Sequence, residues 1–237
     1  GTHVAGTVVG KNYGVFRAQG TNIKVIDVRL DVPAGSSWAA VVLNGYDAII
    51  NYLLANPGKK VIINMSFGLS NWDSFNERLA AIRTNGGIVF AAAGNSNIDA
   101  SYFSPASSND TITVGAIDQT GNRAWFSNYG DIVDIWAPGV NVLSAFPENT
   151  SNNISGTSMS SPLTAGIAAN ILVNNPDLDF DGVKQQLLDY ASYDVDDFLG
   201  NIDLPRVQIS CDEYCSDGSA CGSGGGCSSN SDCDDGV

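Results

Sequence analysis

The sequence predicts an α/β fold of three layers, in which a mostly parallel, twisted sheet is flanked by helices. In the first half of the chain, β-branched segments alternate with segments of helical periodicity, as in sheets built from crossover connections. The segment Lys60–Ser66 is almost continuously apolar, which is typical of a strand buried on both faces. At 237 residues, the chain is long enough for one domain with a sizeable core.

The elements of the first half follow from local patterns. β-branched residues predict strands at Ile23–Leu30, Lys60–Ser66 and Ile88–Ala93. Apolar residues at three- and four-residue spacing predict helices at Trp38–Asn56 and Ser74–Asn85. Glycine follows the end of each helix, where it commonly terminates helical structure.

The second half begins with strands and ends with helices. Further strands are predicted at Thr111–Ile117, Ile132–Trp136 and Asn141–Phe146. A small and apolar run that begins after Ser158 predicts one helix, and apolar spacing predicts another at Phe180–Ala191. We expect residues 1–200 to form the main domain, followed by a linker at 201–210.

Composition excludes some partners and suggests a compartment. The formal net charge of −14 argues against nucleic-acid binding, and no run is long and apolar enough for a membrane span. All five cysteines lie within residues 211–237, which predicts a partial disulfide-stapled module and an extracellular location. A zinc site is the alternative for these cysteines, but the segment has no histidine and no CxxC pair.

Ser158 is the first candidate for chemistry. It lies in the stretch Ile154–Pro162 at the predicted start of a helix, where backbone N–H groups lack partners and the helix dipole favours negative charge. A hydroxyl there could attack a carbonyl while its own N–H group holds the oxyanion. The alternative interpretation is a Ser/Thr-rich helix cap.

Three other positions could complete such a site. His3, the only histidine, is flanked by small residues and is a candidate base, although a lone histidine is usually a surface or core residue. Asn95 follows the strand that ends at Ala93, so its amide could donate to an oxyanion or could satisfy a turn. The segment Ser66–Gly68 follows the neighbouring strand, where an extended peptide could pair.

Six blocks of the sequence, taken together, resemble the subtilisin-like serine peptidases, and within them the proteinase K branch. They occur in the family's order and near its spacing, and the resemblance covers residues 1 to about 192. The blocks are Gly1–Thr7, Met65–Gly68, Ala92–Asn95, Tyr102–Ala106, Phe126–Gly130 and Ser155–Met159.

The resemblance implies a role for each matching residue. Ser158 would be the nucleophile, His3 the general base, and Asn95 an oxyanion donor together with the Ser158 N–H group. Other matching residues would bind the substrate polypeptide: Ser66, Phe67, Gly68, Ala92, Ala93, Gly94, Gly35 and Ser36. The chemistry would need no cofactor.

The resemblance also implies a structural calcium ion. Asp134 matches a carboxylate that binds calcium in the proteinase K branch, and the carbonyl groups of Asn109 and Thr111 match its partners. A plain carboxylate at the end of a strand is the alternative interpretation of Asp134.

One departure from the family concerns the catalytic aspartate. In this family the aspartate lies on a strand before the histidine, whereas this chain begins two residues before His3. We therefore expect the aspartate to lie upstream. The leading hypothesis is a secreted, monomeric serine endopeptidase that forms an acyl-enzyme. The alternative is an inactive subtilisin-like binding module with a Cys-rich adhesion or anchoring tail.

Overall fold

The computed structural model describes residues 1–16, 23–34, 36–70, 73–196 and 204–208. Its helices are α1 (Thr2–Val9), α2 (Trp38–Ala55), α3 (Asp73–Thr84), α4 (Thr157–Asn174) and α5 (Phe180–Asp189), with a 3₁₀ turn at Ala100–Tyr102. Its strands are β1 (Val61–Met65), β2 (Leu69–Ser70), β3 (Gly87–Ala92), β4 (Phe103–Ser104), β5 (Ile112–Ile117), β6 (Ile135–Pro138), β7 (Val142–Phe146), β8 (Thr150–Ile154), β9 (Ser192–Val195) and β10 (Leu204–Arg206).

The main sheet is mostly parallel, as predicted. Its strand order among the described residues is β1-β3-β5-β6-β10-β9. Neighbouring strands run parallel from β1 through β10, and only the β10–β9 pair is antiparallel. Two small antiparallel pairs, β2–β4 and β7–β8, lie outside this sheet.

Helices cover both faces of the sheet, which confirms the three-layer prediction. Ile88 and Phe90 of β3 join a core with residues of α4 and α5, whereas Val89 between them packs with residues of α2 and α3. Successive side chains of a strand point to opposite faces, so β3 contributes to both cores. All six of its residues are buried.

Helix α2 belongs to the second of these cores. It is the one helix of the described chain whose length and apolar composition would suit a membrane crossing. Within the fold, its residues Val42, Tyr46 and Leu53 are buried in the core that α3 shares. An ion pair also joins the two helices, since Arg78 Nε donates to Asp47 Oδ1 at 2.8 Å.

The predicted strand Ile23–Leu30 is wrong. The segment has no regular secondary structure and pairs with no strand of the described residues. Its Ile23 and Val25 side chains are exposed, whereas Leu30 packs on α2 at Gly45, where an added Cβ would lie 2.7 Å from Leu30 Cδ2. β-branched residues stabilise a strand only where a neighbouring edge and an apolar layer receive it.

The prediction also lacks α1, β2, β4, β8, β9 and β10. Five of the eight residues of helix α1 are β-branched and one is glycine, all poor helix formers, so the sequence does not indicate it. It packs on β7 at Gly6, where an added Cβ would lie 2.6 Å from Ser144 Oγ. Strand β10 lies within the segment predicted as a linker and pairs with β6 and β9. The predicted Cys-rich module, 211–237, lies outside the described residues.

Gly115 tests the packing of the central sheet. It is the register partner of Trp136 on β6, and an added Cβ would lie 2.4 Å from Cε3 of that buried indole. We expect Gly115→Ala to lower the free energy of unfolding of the full-length protein by about 1–3 kcal/mol, because the ring has to move. The urea midpoint measures this. Gly68→Ala, which has no atom within 4 Å of an added Cβ, is the matched control. Equal midpoints for the two variants would contradict this packing.

Candidate active site

The carboxyl ends of β1 and β3 meet the N-terminus of α4. Because β1 and β3 are parallel neighbours, the residues that follow them lie at one edge of the sheet. Asn95, after β3, accepts hydrogen bonds through Oδ1 from the Thr157 N–H group at 2.8 Å and from Thr157 Oγ1 at 2.9 Å. The Gly94 N–H group donates to Thr157 Oγ1 at 3.1 Å. The edge of the sheet thus caps the helix that carries Ser158.

A proline in α4 strengthens the connection to β1. Pro162 has no N–H group, so the carbonyl of Ser158 lacks its usual partner four residues ahead. Ser66 Oγ, at the end of β1, donates to this carbonyl at 2.9 Å. In return, Ser158 Oγ donates to the Ser66 carbonyl at 3.4 Å. The candidate nucleophile is therefore held against β1 by its own backbone.

Two nitrogen donors, Asn95 Nδ2 and the Ser158 backbone nitrogen, lie close to Gly156. A backbone N–H group only donates, so the Thr157 N–H group fixes the oxygen of the Asn95 amide as the atom that faces Thr157. Among the described residues, no acceptor binds Asn95 Nδ2. An added Cβ on Gly156 would lie 3.4 Å from Asn95 Nδ2 and 3.7 Å from the Ser158 nitrogen. Glycine at this position keeps open a space that an oxyanion could occupy.

Asn64 is part of this site, although sequence reasoning missed it. Its Nδ2 group donates to Ser66 Oγ at 2.9 Å, and its Oδ1 accepts from Ser161 Oγ of α4 at 2.8 Å. The side chain therefore joins the end of β1 to the first turns of α4. The available signal was an amide within the otherwise apolar strand Val61–Met65.

The His3 imidazole is hydrogen-bonded to the β7–β8 hairpin and not to Ser158. The imidazole is 5% exposed, and Nε2 lies 3.0 Å from the carbonyls of Val142 and Asn152 on the β7–β8 hairpin. A carbonyl only accepts, so Nε2 carries a proton here and cannot accept one from Ser158. Nδ1 is buried without a partner in the described chain. The predicted hydrogen bond between His3 and Ser158 is therefore absent from this arrangement.

The predicted pocket walls are only partly at the surface. Ser66, Phe67 and Gly68 end β1 and are partly or fully exposed. Ala92 and Ala93 are 5% and 0% exposed, so their side chains belong to the core. Backbone at the end of β3 remains available: Gly94, with φ of +106°, and Asn95 reach the surface.

The Trp38 ring packs on Phe67, next to the carboxyl end of β1. The Trp38 indole at the start of α2 meets Phe67 edge-on, with ring centroids 6.4 Å apart. Sequence reasoning missed Trp38 as a site residue, although it opens the helix that follows the predicted binding segment. Ser36 of that segment is exposed in the turn before α2, and Gly35 lies outside the described residues.

Cationic side chains of the protein already bind two of the three predicted calcium ligands. Asp134 Oδ1 lies 2.5 Å from Lys184 Nζ, and Oδ2 accepts the Thr113 N–H group at 2.8 Å. Burial raises the pKa of Asp134, and the bonds from Lys184 and Thr113 oppose part of the rise. The Asn109 carbonyl accepts from Arg83 at 3.2 Å. The described residues contain no cluster of three or more Asp, Glu, His or Cys side chains that could hold a metal ion. The Asp134 carboxylate and the Asn109 carbonyl, two of the three predicted ligands, are thus bound by cationic side chains.

Comparison with known proteins identifies the family. The Subtilase family matches residues 1–208. Subtilisin-like protease 2 from Pseudogymnoascus destructans is 44% identical over 176 residues, which are 73% of this chain and 42% of that protein. Proteinase R from Parengyodontium album is 40% identical over 173 residues, or 73% of this chain and 44% of that protein.

A solved structure supports the same relationship. A cold adapted subtilisin-like serine proteinase is 33% identical and superposes with a TM-score of 0.75, covering 86% of this chain and 72% of that one. The chain spans about two fifths of the length of the curated relatives it matches. The predicted resemblance to subtilisin-like serine peptidases is confirmed, and the chain belongs to the subtilase family.

Proposed function

We propose that the protein is a secreted serine endopeptidase that hydrolyses peptide bonds through an acyl-enzyme. The observation that carries this proposal is that Asn95 Nδ2 and the Ser158 nitrogen lie 3.4 and 3.7 Å from one point, the position that an added Cβ on Gly156 would take. Such a pair of fixed donors stabilises the oxyanion of acyl transfer more than a neutral carbonyl. The relatives named above are themselves called proteases or proteinases.

The proposed reaction begins with attack on the scissile carbonyl carbon. Ser158 Oγ forms the new C–O bond, and its proton passes to Nε2 of His3 as the carbonyl electrons move to the oxygen. When the C–N bond breaks, His3 returns the proton to the leaving amine. Water then attacks the acyl group on Ser158 by the same route and releases the acid.

His3 has to change its hydrogen bonds to take this role. In the present arrangement its Nε2 donates to the hairpin carbonyls of Val142 and Asn152. A base needs Nε2 unprotonated and facing Ser158, with the proton on Nδ1 held by an acceptor. Nδ1 is the buried atom without a partner, so it is available for the carboxylate that the family resemblance implies.

The hydrogen bonds of His3 to the hairpin carbonyls favour a second candidate function. If His3 stays on the hairpin carbonyls, Ser158 has no base, and the domain would bind polypeptides without cleaving them. The edge formed by Ser66–Gly68 would still be open to an extended segment, and the tail at 211–237 would serve adhesion or anchoring. Covalent labelling of Ser158 distinguishes the two functions, because only an activated hydroxyl reacts with a phosphonylating probe.

We expect a fluorophosphonate probe to label the full-length protein at Ser158, and Ser158→Ala to abolish both labelling and peptide hydrolysis. Ser160→Ala is the matched control, because the Ser160 hydroxyl is buried without a hydrogen bond and its loss removes none. Mass spectrometry of the labelled peptide identifies the site. Absence of labelling in the wild-type protein would favour the binding module.

Asn95→Asp separates the two roles of the amide. The aspartate keeps an oxygen for the Thr157 N–H group but replaces the Nδ2 donor. We expect kcat to fall by about 10²–10³-fold, the loss known for the corresponding amide in a subtilisin, with the melting temperature retained. Asn44→Asp, on the exposed side of α2, controls for the added charge. An unchanged kcat would exclude Asn95 as an oxyanion donor.

Asn64→Ala tests the brace between β1 and α4, which consists of the two hydrogen bonds that join Asn64 to Ser66 and Ser161. The change leaves Ser66 and Ser161 without their shared partner, so we expect the free energy of unfolding to fall by about 1–3 kcal/mol. We also expect kcat/KM to fall, because the backbone that positions Ser158 is loosened. Denaturant melts and peptide hydrolysis measure the two effects, with Asn44→Ala as the control. If both quantities match those of the control, the brace has no role.

A further inference from the structure

We propose that Lys184 acts as a built-in cation at Asp134, so that this part of the fold is held together without a bound calcium ion. The Asp134 side chain is 16% exposed, and a carboxylate at that depth needs a positive or hydrogen-bonding partner. Lys184 Nζ lies 2.5 Å from Oδ1, and the Thr113 N–H group lies 2.8 Å from Oδ2. Both carboxylate oxygens therefore already have donors.

The neighbouring carbonyl is bound in the same way. Arg83 of α3 donates from Nη1 to the Asn109 carbonyl at 3.2 Å and to Asp110 Oδ1 at 3.3 Å. Its Nη2 group binds both carboxylate oxygens of Asp181, at 2.7 and 2.8 Å. The guanidinium also stacks on the Phe180 ring, 4.2 Å from its centroid. These contacts hold Arg83 in place, so its bond to Asn109 is a fixed part of the fold.

The ion pair connects α5 to the two strands β5 and β6. Asp134 precedes β6, and its backbone N–H group donates to the Thr113 carbonyl of β5 at 2.9 Å. Lys184 lies on α5, which covers this face of the sheet. The ammonium group therefore joins α5 to the β5–β6 pair, and this joins the outer helix layer to the sheet.

Charge balance also opposes a metal ion here. Calcium binds six to eight oxygen ligands, and several carboxylates usually offset its double charge. Asp134 offers one carboxylate, which Lys184 already neutralises at 2.5 Å. A calcium ion would have to displace the ammonium group or lie beside it, and like charges at that distance repel.

The test compares melting temperatures of the full-length protein in EDTA and in millimolar CaCl₂. We expect the wild-type protein to show no calcium response that depends on Asp134. Lys184→Met keeps the apolar stem but removes the charge, so we expect it to melt about 2–4 °C lower in EDTA. Calcium should then raise its melting temperature, because the carboxylate has lost its cation. Lys24→Met, at an exposed position, controls for the loss of one positive charge.

Asp134→Asn identifies where any calcium response arises. If calcium stabilises the wild-type protein and Asp134→Asn abolishes that stabilisation, calcium occupies this position and the proposal is overturned. A calcium response of equal size in both proteins arises elsewhere and agrees with the proposal. Equal melting temperatures of Lys184→Met and the wild-type protein in EDTA would also overturn it, since the ammonium group would then stabilise nothing.

Discussion

The candidate site depends on the hydrogen bond between Ser66 Oγ and the Ser158 carbonyl. This carbonyl is free to accept it because Pro162 has no N–H group. Pro162 leaves the Ser158 carbonyl without its helical partner, and Ser66 Oγ donates to that carbonyl at 2.9 Å. This bond ties the backbone of the candidate nucleophile to the end of β1. Asn64 of β1 donates to Ser66 Oγ and accepts from Ser161 Oγ of α4, so it supports the same connection. The position of Ser158 is thus determined by the sheet as much as by its own helix.

Asn95 caps α4, and it is also the residue that the proposed reaction would use as an oxyanion donor. Asn95 Oδ1 satisfies the Thr157 N–H group, which is one of the unpaired donors at the start of α4. That contact fixes the amide with its nitrogen 3.4 Å from the position of an added Cβ on Gly156. The helix-cap and nucleophile interpretations of the Ser155–Met159 block are therefore compatible. The cap prepares the donors that an oxyanion needs, and no reorganisation is required when charge develops.

His3 and Asp134 each form hydrogen bonds or ion pairs with residues distant in the sequence, which the sequence around them does not predict. His3 lies on a helix made of poor helix formers. The orientation of its ring is fixed by two carbonyls of the β7–β8 hairpin, which bind Nε2. Asp134 meets Lys184, which lies 50 residues later in the chain. The protein carries only 11 Lys and Arg side chains against 25 Asp and Glu. A cation beside a partly buried carboxylate, such as Lys184 at Asp134, therefore offsets a negative charge that few other side chains could offset.

The sequence by itself determined the class of fold, the family and the residues that converge at Ser158, Asn95 and Ser66. These follow from local patterns: apolar periodicity, strand ends, and blocks in a recognisable order. Only the tertiary structure decided that residues 23–30 form no strand, that Leu204–Arg206 joins the sheet, and that His3 and Asp134 bind other partners than predicted. Strand pairing and the choice of a hydrogen-bond partner depend on which surfaces meet in space, and local sequence does not encode that meeting.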